Sequence, residues 1–212
     1  MSQLALSWVQ SWEQLMTAVA TFLAVLVALF GERLWRYIDS PKLNVLFDRG
    51  LERCFRWAIV PLDEIQDEGV IQDVKRQYFR LRVINRGKGP AKRLKAKVEL
   101  YTKDNKLAER FEPSLLNWIG GFETIDLAPG EDWYIDFISQ VISNHEINRR
   151  VRIEIANKKS RGIARDRELS TWILRVSIHG ENISNPVIQY WKFLPSKNKN
   201  KPGRLIKMKK DC

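Results

Sequence analysis

The chain has 212 residues and carries 36 Lys and Arg against 25 Asp and Glu, a formal net charge of +11. That length leaves room for one substantial hydrophobic core, and the basic balance favours anionic partners. Two cysteines, Cys54 and Cys212, exclude a disulfide-stapled scaffold and agree with a reducing compartment.

The first predicted element is a helix. Residues 14–31 contain no charged side chain, and Glu13 and Glu32 bracket them. A helix of that length measures about 27 Å, near the thickness of a thin hydrocarbon core, and it satisfies its own backbone in lipid. Trp8 and Trp12 precede the run and Trp35 and Tyr37 follow it, where amphipathic rings suit the two water–lipid interfaces. The pattern predicts a short external N-terminus over residues 1–13 and a transmembrane helix with a juxtamembrane extension over 14–38. No Lys or Arg precedes the run, whereas Arg33, Arg36, Lys42 and Arg49 follow it. By the positive-inside rule the N-terminus lies outside the cell membrane and the large C-terminal part is cytoplasmic. A cleaved signal peptide would need a basic n-region and a small-x-small site. A buried core helix would show a polar stripe, and only Thr17 and Thr21 interrupt this surface. Thr17, Thr21, Ala24 and Ala28 share one helical face, which admits close helix–helix approach and self-association; such residues are also simply common in membrane helices.

From residue 40 onward strict alternation dominates, the mark of strands with one buried face. Residues 79–83 point Phe79, Leu81 and Val83 inward. Residues 93–101 do the same with Leu94, Ala96, Val98 and Leu100, residues 132–138 with Trp133, Ile135 and Phe137, residues 151–155 with Val151, Ile153 and Ile155, and residues 171–179 with Trp172, Leu174, Val176 and Ile178. Weaker candidates are residues 43–47, 53–60, 107–111, 125–127 and 187–193. Pro129-Gly130 has the residues of a type II turn, and Asp104-Asn105 suits a hairpin. Residues 144–150 offer at most a short helical turn. The expected fold is mainly β: an immunoglobulin-like antiparallel β-sandwich over 40–195, preceded by one N-terminal transmembrane helix and followed by a basic disordered tail over 196–212.

The stretch Tyr78-Phe-Arg-Leu-Arg-Val-Ile-Asn-Arg-Gly-Lys-Gly-Pro-Ala91 resembles the strand–Asn-x-Gly-x-x-x-Ala–strand signature of CARDB-like bacterial immunoglobulin-like domains. Residues 125–131, Ile-Asp-Leu-Ala-Pro-Gly-Glu, are similar to the Leu-x-Pro-Gly turn of the same domains. The layout of anchor helix, Ser40-Pro-Lys-Leu43 junction and sandwich also resembles prokaryotic single-pass membrane proteins without an assigned role. The resemblance implies fold and anchoring, and it carries no catalytic residue.

Catalytic chemistry has little support. His145 and His179 are isolated, and no second Cys or His stands at ligand spacing to either, so neither a metal nor a cofactor is expected. Phosphate-loop, nucleophile-elbow and zincin motifs are missing. The acids Asp63, Glu64, Asp67 and Glu68 read as a solvated loop rather than a cation site. The chain therefore reads as a non-catalytic binding or interaction module.

Two basic groups are candidates for anionic contacts. The tail supplies Lys197, Lys199, Lys201, Arg204, Lys207, Lys209 and Lys210 with no acid between 197 and 210. It would serve as a solvated tail, as a contact to anionic lipid, or less readily as a phosphate contact to nucleic acid. Arg80, Arg82, Lys92, Arg93, Lys95 and Lys97 form one cationic patch if their strands share a sheet, with Tyr78 on the same parity as a stacking surface. The alternative is an ordinary exposed face whose lysines guard an edge. A protein partner or self-association completes the expected partners. The second functional reading is a membrane effector or sensor whose basic sandwich face binds a nucleic acid or nucleotide.

Overall fold

The computed structural model describes residues 3–60, 74–101, 112–142, 150–155, 162–164, 171–196 and 201–209. The chain divides into two compact units, Met1–Ser40 and Pro41–Cys212.

The first unit is one helix, α1 (Gln3–Ile38). Side chains are described over seventeen consecutive residues, 15–31. Among the described residues no helix is long and apolar enough to cross a membrane; seventeen residues measure about 26 Å, against a hydrocarbon core of about 30 Å. Thr17, Thr21, Ala24 and Ala28 are all exposed, and the Thr21 hydroxyl donates to the Thr17 carbonyl one turn back at 2.8 Å.

The second unit is mainly β and antiparallel throughout its strand pairs. One six-stranded sheet comprises β1 (Leu43–Leu46), β2 (Phe55–Val60), β3 (Val74–Asn85), β7 (Asp132–Ile142), β8 (Arg150–Ile153) and β9 (Gly162–Ala164), in the order β1-β3-β7-β8-β9 with β2 also on β3. The other comprises β4 (Ala91–Tyr101), β5 (Ser114–Leu115), β6 (Ile125–Leu127), β10 (Trp172–His179), β11 (Val187–Leu194) and β12 (Arg204–Met208), in the order β12-β11-β10-β4-β5 with β6 also on β4. Both sheets contribute to one core that includes Phe79, Leu81, Leu94, Val98, Trp118, Ile135, Phe137, Leu174, Val176, Trp191 and Phe193. The alternation in the sequence creates that core: each strand turns one apolar row inward, and burying those rows drives the two faces together.

Four expectations are corrected. Trp133 keeps the parity of Ile135, opposite Val83, but is not buried: it is 41% exposed and its indole N–H donates to the Ile119 carbonyl at 3.1 Å, while Tyr134, opposite Arg82, is buried with the Arg53 guanidinium over its ring. Farther along β7 there is a bulge: the β3–β7 register runs Phe79↔Ile138 and then Arg80↔Asp136, so Phe137 has no partner. The extra residue lets Phe137 and Ile138 both reach the core, a shift that period-two counting cannot follow. The tail is not disordered throughout. Residues 204–208 form β12 on β11, with Leu205 buried and Gly203 donating its N–H to Gln77 Oε1 at 3.1 Å. Two apolar residues in a basic stretch suffice because the edge of β11 is open and a backbone ladder adds to the burial. Cys54 lies in the turn before β2 rather than in a strand, fully buried, and burial pushes its thiol pKa up. The single cationic patch is divided, as its geometry below shows. The expected strand at 107–111, the Asp104-Asn105 hairpin, residues 144–149 of the expected 144–150 turn, His145 and the acids of the 63–68 loop lie outside the described residues, and Arg150 opens β8.

The two motifs carrying the family resemblance meet at one side chain. Asn85 is fully buried. Its Nδ2 donates to the carbonyls of Gly89 (2.8 Å) and Leu127 (3.1 Å), and its Oδ1 accepts from the N–H groups of Gly87 (3.0 Å) and Lys42 (3.2 Å). Its carbonyl accepts from Gly130, which occupies the expected turn at φ 81°. One amide thus ties the β3 terminus, the following loop, the β6 exit and the entry to β1 together.

Candidate anion-binding face

The outer faces of the two sheets differ in how they treat charge. On the first sheet, β3 places Arg76, Tyr78, Arg80 and Arg82 outward against β7. Arg80 Nε meets Asp136 Oδ1 at 2.6 Å and Arg82 Nε meets Asp132 Oδ2 at 2.8 Å. Arg76 bonds Glu154 Oε1 at 3.1 Å and the Ser139 hydroxyl at 3.0 Å. The hydrogen bond from Arg82 holds the Asp132 carboxyl below the usual carboxylate range and raises the Arg82 pKa in turn. The guanidinium carbons of Arg76 and Arg80 stand 5.1 and 5.6 Å from the Tyr78 ring centroid, so that ring is already engaged by the chain's own cations. The three β3 arginines of this face are thus closed in ion pairs.

The candidate patch therefore does not exist as one surface. Arg80 and Arg82 lie on β3 in the first sheet, whereas Arg93, Lys95 and Lys97 lie on β4 in the second. The sequence places them close in the chain, but the 86–90 turn carries the chain from one sheet to the other. Arg93 is separated again by its backbone: it sits at φ 48°, at the register shift between Ala91 and Leu94. There its N–H donates to Asp126 Oδ1 at 2.6 Å and its guanidinium pairs with Glu181 at 2.8 Å.

The second sheet gathers the remaining cations. Its outward positions form cross-strand rows: Tyr101–Ile173–Lys192–Ile206, then Glu99–Arg175–Tyr190–Met208, then Lys97–Ser177–Ile188, then Lys95–His179, with Arg204 opposite Leu194 at the far end. Strand spacing of about 4.8 Å puts β4 and β12 roughly 14 Å apart across this face. Glu99 is the one acid among the described residues of these rows, and Arg175 Nη1 holds it at 2.7 Å. Burial raises the Glu99 pKa, but the Arg175 hydrogen bond and charge outweigh it, and the carboxyl ends below its ordinary value. Among the described residues Lys95, Lys97, Lys192, Lys201, Arg204, Lys207 and Lys209 form no ion pair. Lys197, Lys199 and Lys210 lie outside the described residues.

The cations are interleaved with apolar groups. Ile188 is 39% exposed and Ile206 38%. Beside them an open groove of about 480 Å³ is lined by Ile188, Gln189, Tyr190, Lys207, Met208 and Lys209. Lys192, Tyr190 and Ile188 were not singled out by sequence reasoning. Their signal is a strand whose two parities are both largely apolar, so neither stands out as the solvent side. Among the described residues no three metal-ligating side chains come together. No protein-family model, no curated protein and no solved structure matches this chain.

Proposed function

We propose that this protein is a membrane-anchored, non-catalytic binding module, with α1 crossing the cell membrane, its N-terminus outside, and an immunoglobulin-like β-sandwich at the cytoplasmic surface. The observation that carries the reading is the uncovered apolar surface of α1. Met16, Phe22, Val27 and Leu29 are 63, 64, 70 and 64% exposed, with Leu15, Val19, Leu23, Val25 and Phe30 also exposed. At 100° per residue these large side chains cover roughly two thirds of the circumference, and Thr17, Ala20, Thr21, Ala24 and Ala28 occupy the rest. A helix apolar on every side belongs in a protein core or in lipid. The Thr21 hydroxyl spends its proton on its own helix, as lipid requires. The small-residue sector would let two copies of α1 approach closely. The immunoglobulin-like assignment draws on the paired sheets and on the Asn85 and Pro129-Gly130 motifs. The non-catalytic assignment rests on the isolated histidines and the lack of any nucleophile, phosphate-loop or metal-ligand spacing in the sequence. The alternative, a sensor reading nucleic acid or a nucleotide through a face shared by Arg80, Arg82, Lys95 and Lys97, draws no support from cations that lie on different sheets.

The test is alkaline extraction of membranes containing the full chain. The protein is expected in the pellet, and Leu23→Arg, which costs about 3 kcal/mol at a helix centre, moves it toward the supernatant. Full release of the unsubstituted chain overturns the anchor. Protease added to the outer side of intact cells is expected to spare the β domain; its digestion reverses the topology.

A further inference from the structure

We propose that the outer face of the β4–β10–β11–β12 sheet is a docking surface for an anionic lipid bilayer, a second contact to the membrane that α1 is proposed to span; the inference rests on that anchor reading. Charge complementarity selects the occupant. Among the described residues of the two sheets, two groups of cations stand apart. Arg76, Arg80 and Arg82 of the first sheet, with Arg93 and Arg175, are neutralised by carboxylates at 2.6 to 3.1 Å. Lys95, Lys97, Lys192 and Arg204 are left without one and share one face. A protein partner with matching carboxylates would satisfy the charges alone. The same face also exposes Ile188 and Ile206 beside Tyr190 and Met208, in the rows between those cations. Lipid headgroups over acyl chains offer both chemistries to one flat sheet: phosphate and carboxylate for ammonium groups that snorkel outward, and an apolar boundary for the aliphatic groups between them.

Tethering favours the contact. Between α1, ending at Ile38, and β1, starting at Leu43, lie residues 39–42. Four residues reach at most about 14 Å, so the domain of an anchored chain cannot leave the surface, and even a weak patch operates at high effective concentration. Each unpaired cation near an anionic leaflet is worth about fivefold in the docking equilibrium, so neutralising two lowers it roughly thirtyfold.

The experiment uses the full chain with Cys212→Ser and Ile188→Cys, labelled with an environment-sensitive fluorophore; Cys54 is fully buried and does not compete. The chain is mixed with nanodiscs of phosphatidylcholine alone or with phosphatidylserine added. A blue shift confined to the phosphatidylserine discs, reversed by high salt and abolished by Lys192→Gln with Arg204→Gln, is the expected result. Far-ultraviolet circular dichroism of the variant must match the parent. Co-migration of chain and discs reads the anchor independently. A label that stays unshifted in phosphatidylserine discs overturns the docking proposal whether or not the chain co-migrates. A shift without stable co-migration overturns only the anchor. A shift already present in detergent without lipid assigns the face to a second copy of the chain, and an equal shift in both disc types assigns it to purely apolar contact; either overturns the proposal.

Discussion

Asn85 uses the whole capacity of its amide, two donated and two accepted hydrogen bonds, in a site without solvent. Asn85→Ala leaves two N–H groups and two carbonyls short of a partner and is expected to destabilise the β domain by about 3 kcal/mol. Asn85→Asp keeps the shape but turns a carboxylate oxygen toward the Gly89 and Leu127 carbonyls, so it destabilises at least as much. Urea midpoints from tryptophan fluorescence check both, and an unshifted midpoint for Asn85→Asp would show that packing rather than hydrogen bonding holds the site. The carboxylates of Asp132 and Glu99 make a pH prediction. Both have folded-state pKa values below their ordinary ones, Asp132 through the Arg82 hydrogen bond and Glu99 through Arg175 against the opposing effect of burial. Their contribution is complete above the unfolded pKa and is lost as pH falls through the folded value. Thermal melting should therefore fall steeply below about pH 4, the ordinary carboxylate range. Asp132→Asn combined with Glu99→Gln should flatten that acid limb while lowering the plateau at neutral pH. An acid limb as steep as the parent's would assign the loss to other carboxylates.

At the scale of elements, β12 shows what a strand needs when its sequence is mostly basic. Leu205 supplies the buried side chain, β11 supplies the ladder, and the preceding segment is fastened to the first sheet. Gln77 accepts from Gly203, while Gln140 donates to the Ser196 carbonyl at 3.0 Å and accepts from the Ser196 N–H at 3.2 Å. These glutamines are paired across β3 and β7, so the crossing between β11 and β12 is bonded to the opposite sheet. A Cβ on Gly203 would lie 2.8 Å from Gln140 Oε1, 3.1 Å from Phe193 Cζ and 3.2 Å from the Leu194 carbonyl oxygen. Gly203→Ala is expected to loosen β12 selectively, because the Phe193 ring and the Leu194 backbone cannot both yield. Hydrogen exchange should then quicken at 204–208 while β3 and β7 keep their protection. Leu205→Ala should lower stability by about 2 to 3 kcal/mol by leaving a cavity at the sheet margin. Uniform loss of protection in either variant would mean that β12 is part of the global cooperative unit rather than a strand added to it.

For the whole molecule, the core members all come from Val45 onward, and the helix forms its own compact unit. A charge introduced into α1, such as Leu23→Arg, should therefore leave the melting temperature of the β domain unchanged while altering membrane partition. A parallel fall in both would show that the two units fold together. Among the described residues, Asp132 and Asp136 close the β3 arginines Arg82 and Arg80, whereas Lys95, Lys97, Lys192 and Arg204 of the second sheet have no carboxylate, so the position of the acids decides which face stays cationic.

The sequence by itself determined the helix, most strands and the parity-read part of the core, because both periods are local, whereas Leu116, Trp118 and Leu205 join the core through neighbours that no local period names. Val83, Leu94, Val98, Ile153, Leu174 and Ile178 follow from parity alone and are buried. Tyr134 does not, since it stands opposite Arg82 and is buried by what covers it, and Phe137 and Ile138 are both buried because a bulge resets parity through a partner strand that the sequence does not identify. The candidate site was legible only in part. Lys95, Lys97 and Arg204 could be read as exposed cations, but which strands would stand beside them was decided by sheet membership. That choice separated Arg80 and Arg82 from Lys95 and Lys97, supplied Asp132 and Asp136 to the first pair, and brought Lys192 and the apolar side chains of β11 to the second. Charge content is a sum over residues and can be counted along the chain; charge pairing depends on which strands become neighbours, and only the tertiary structure decides that.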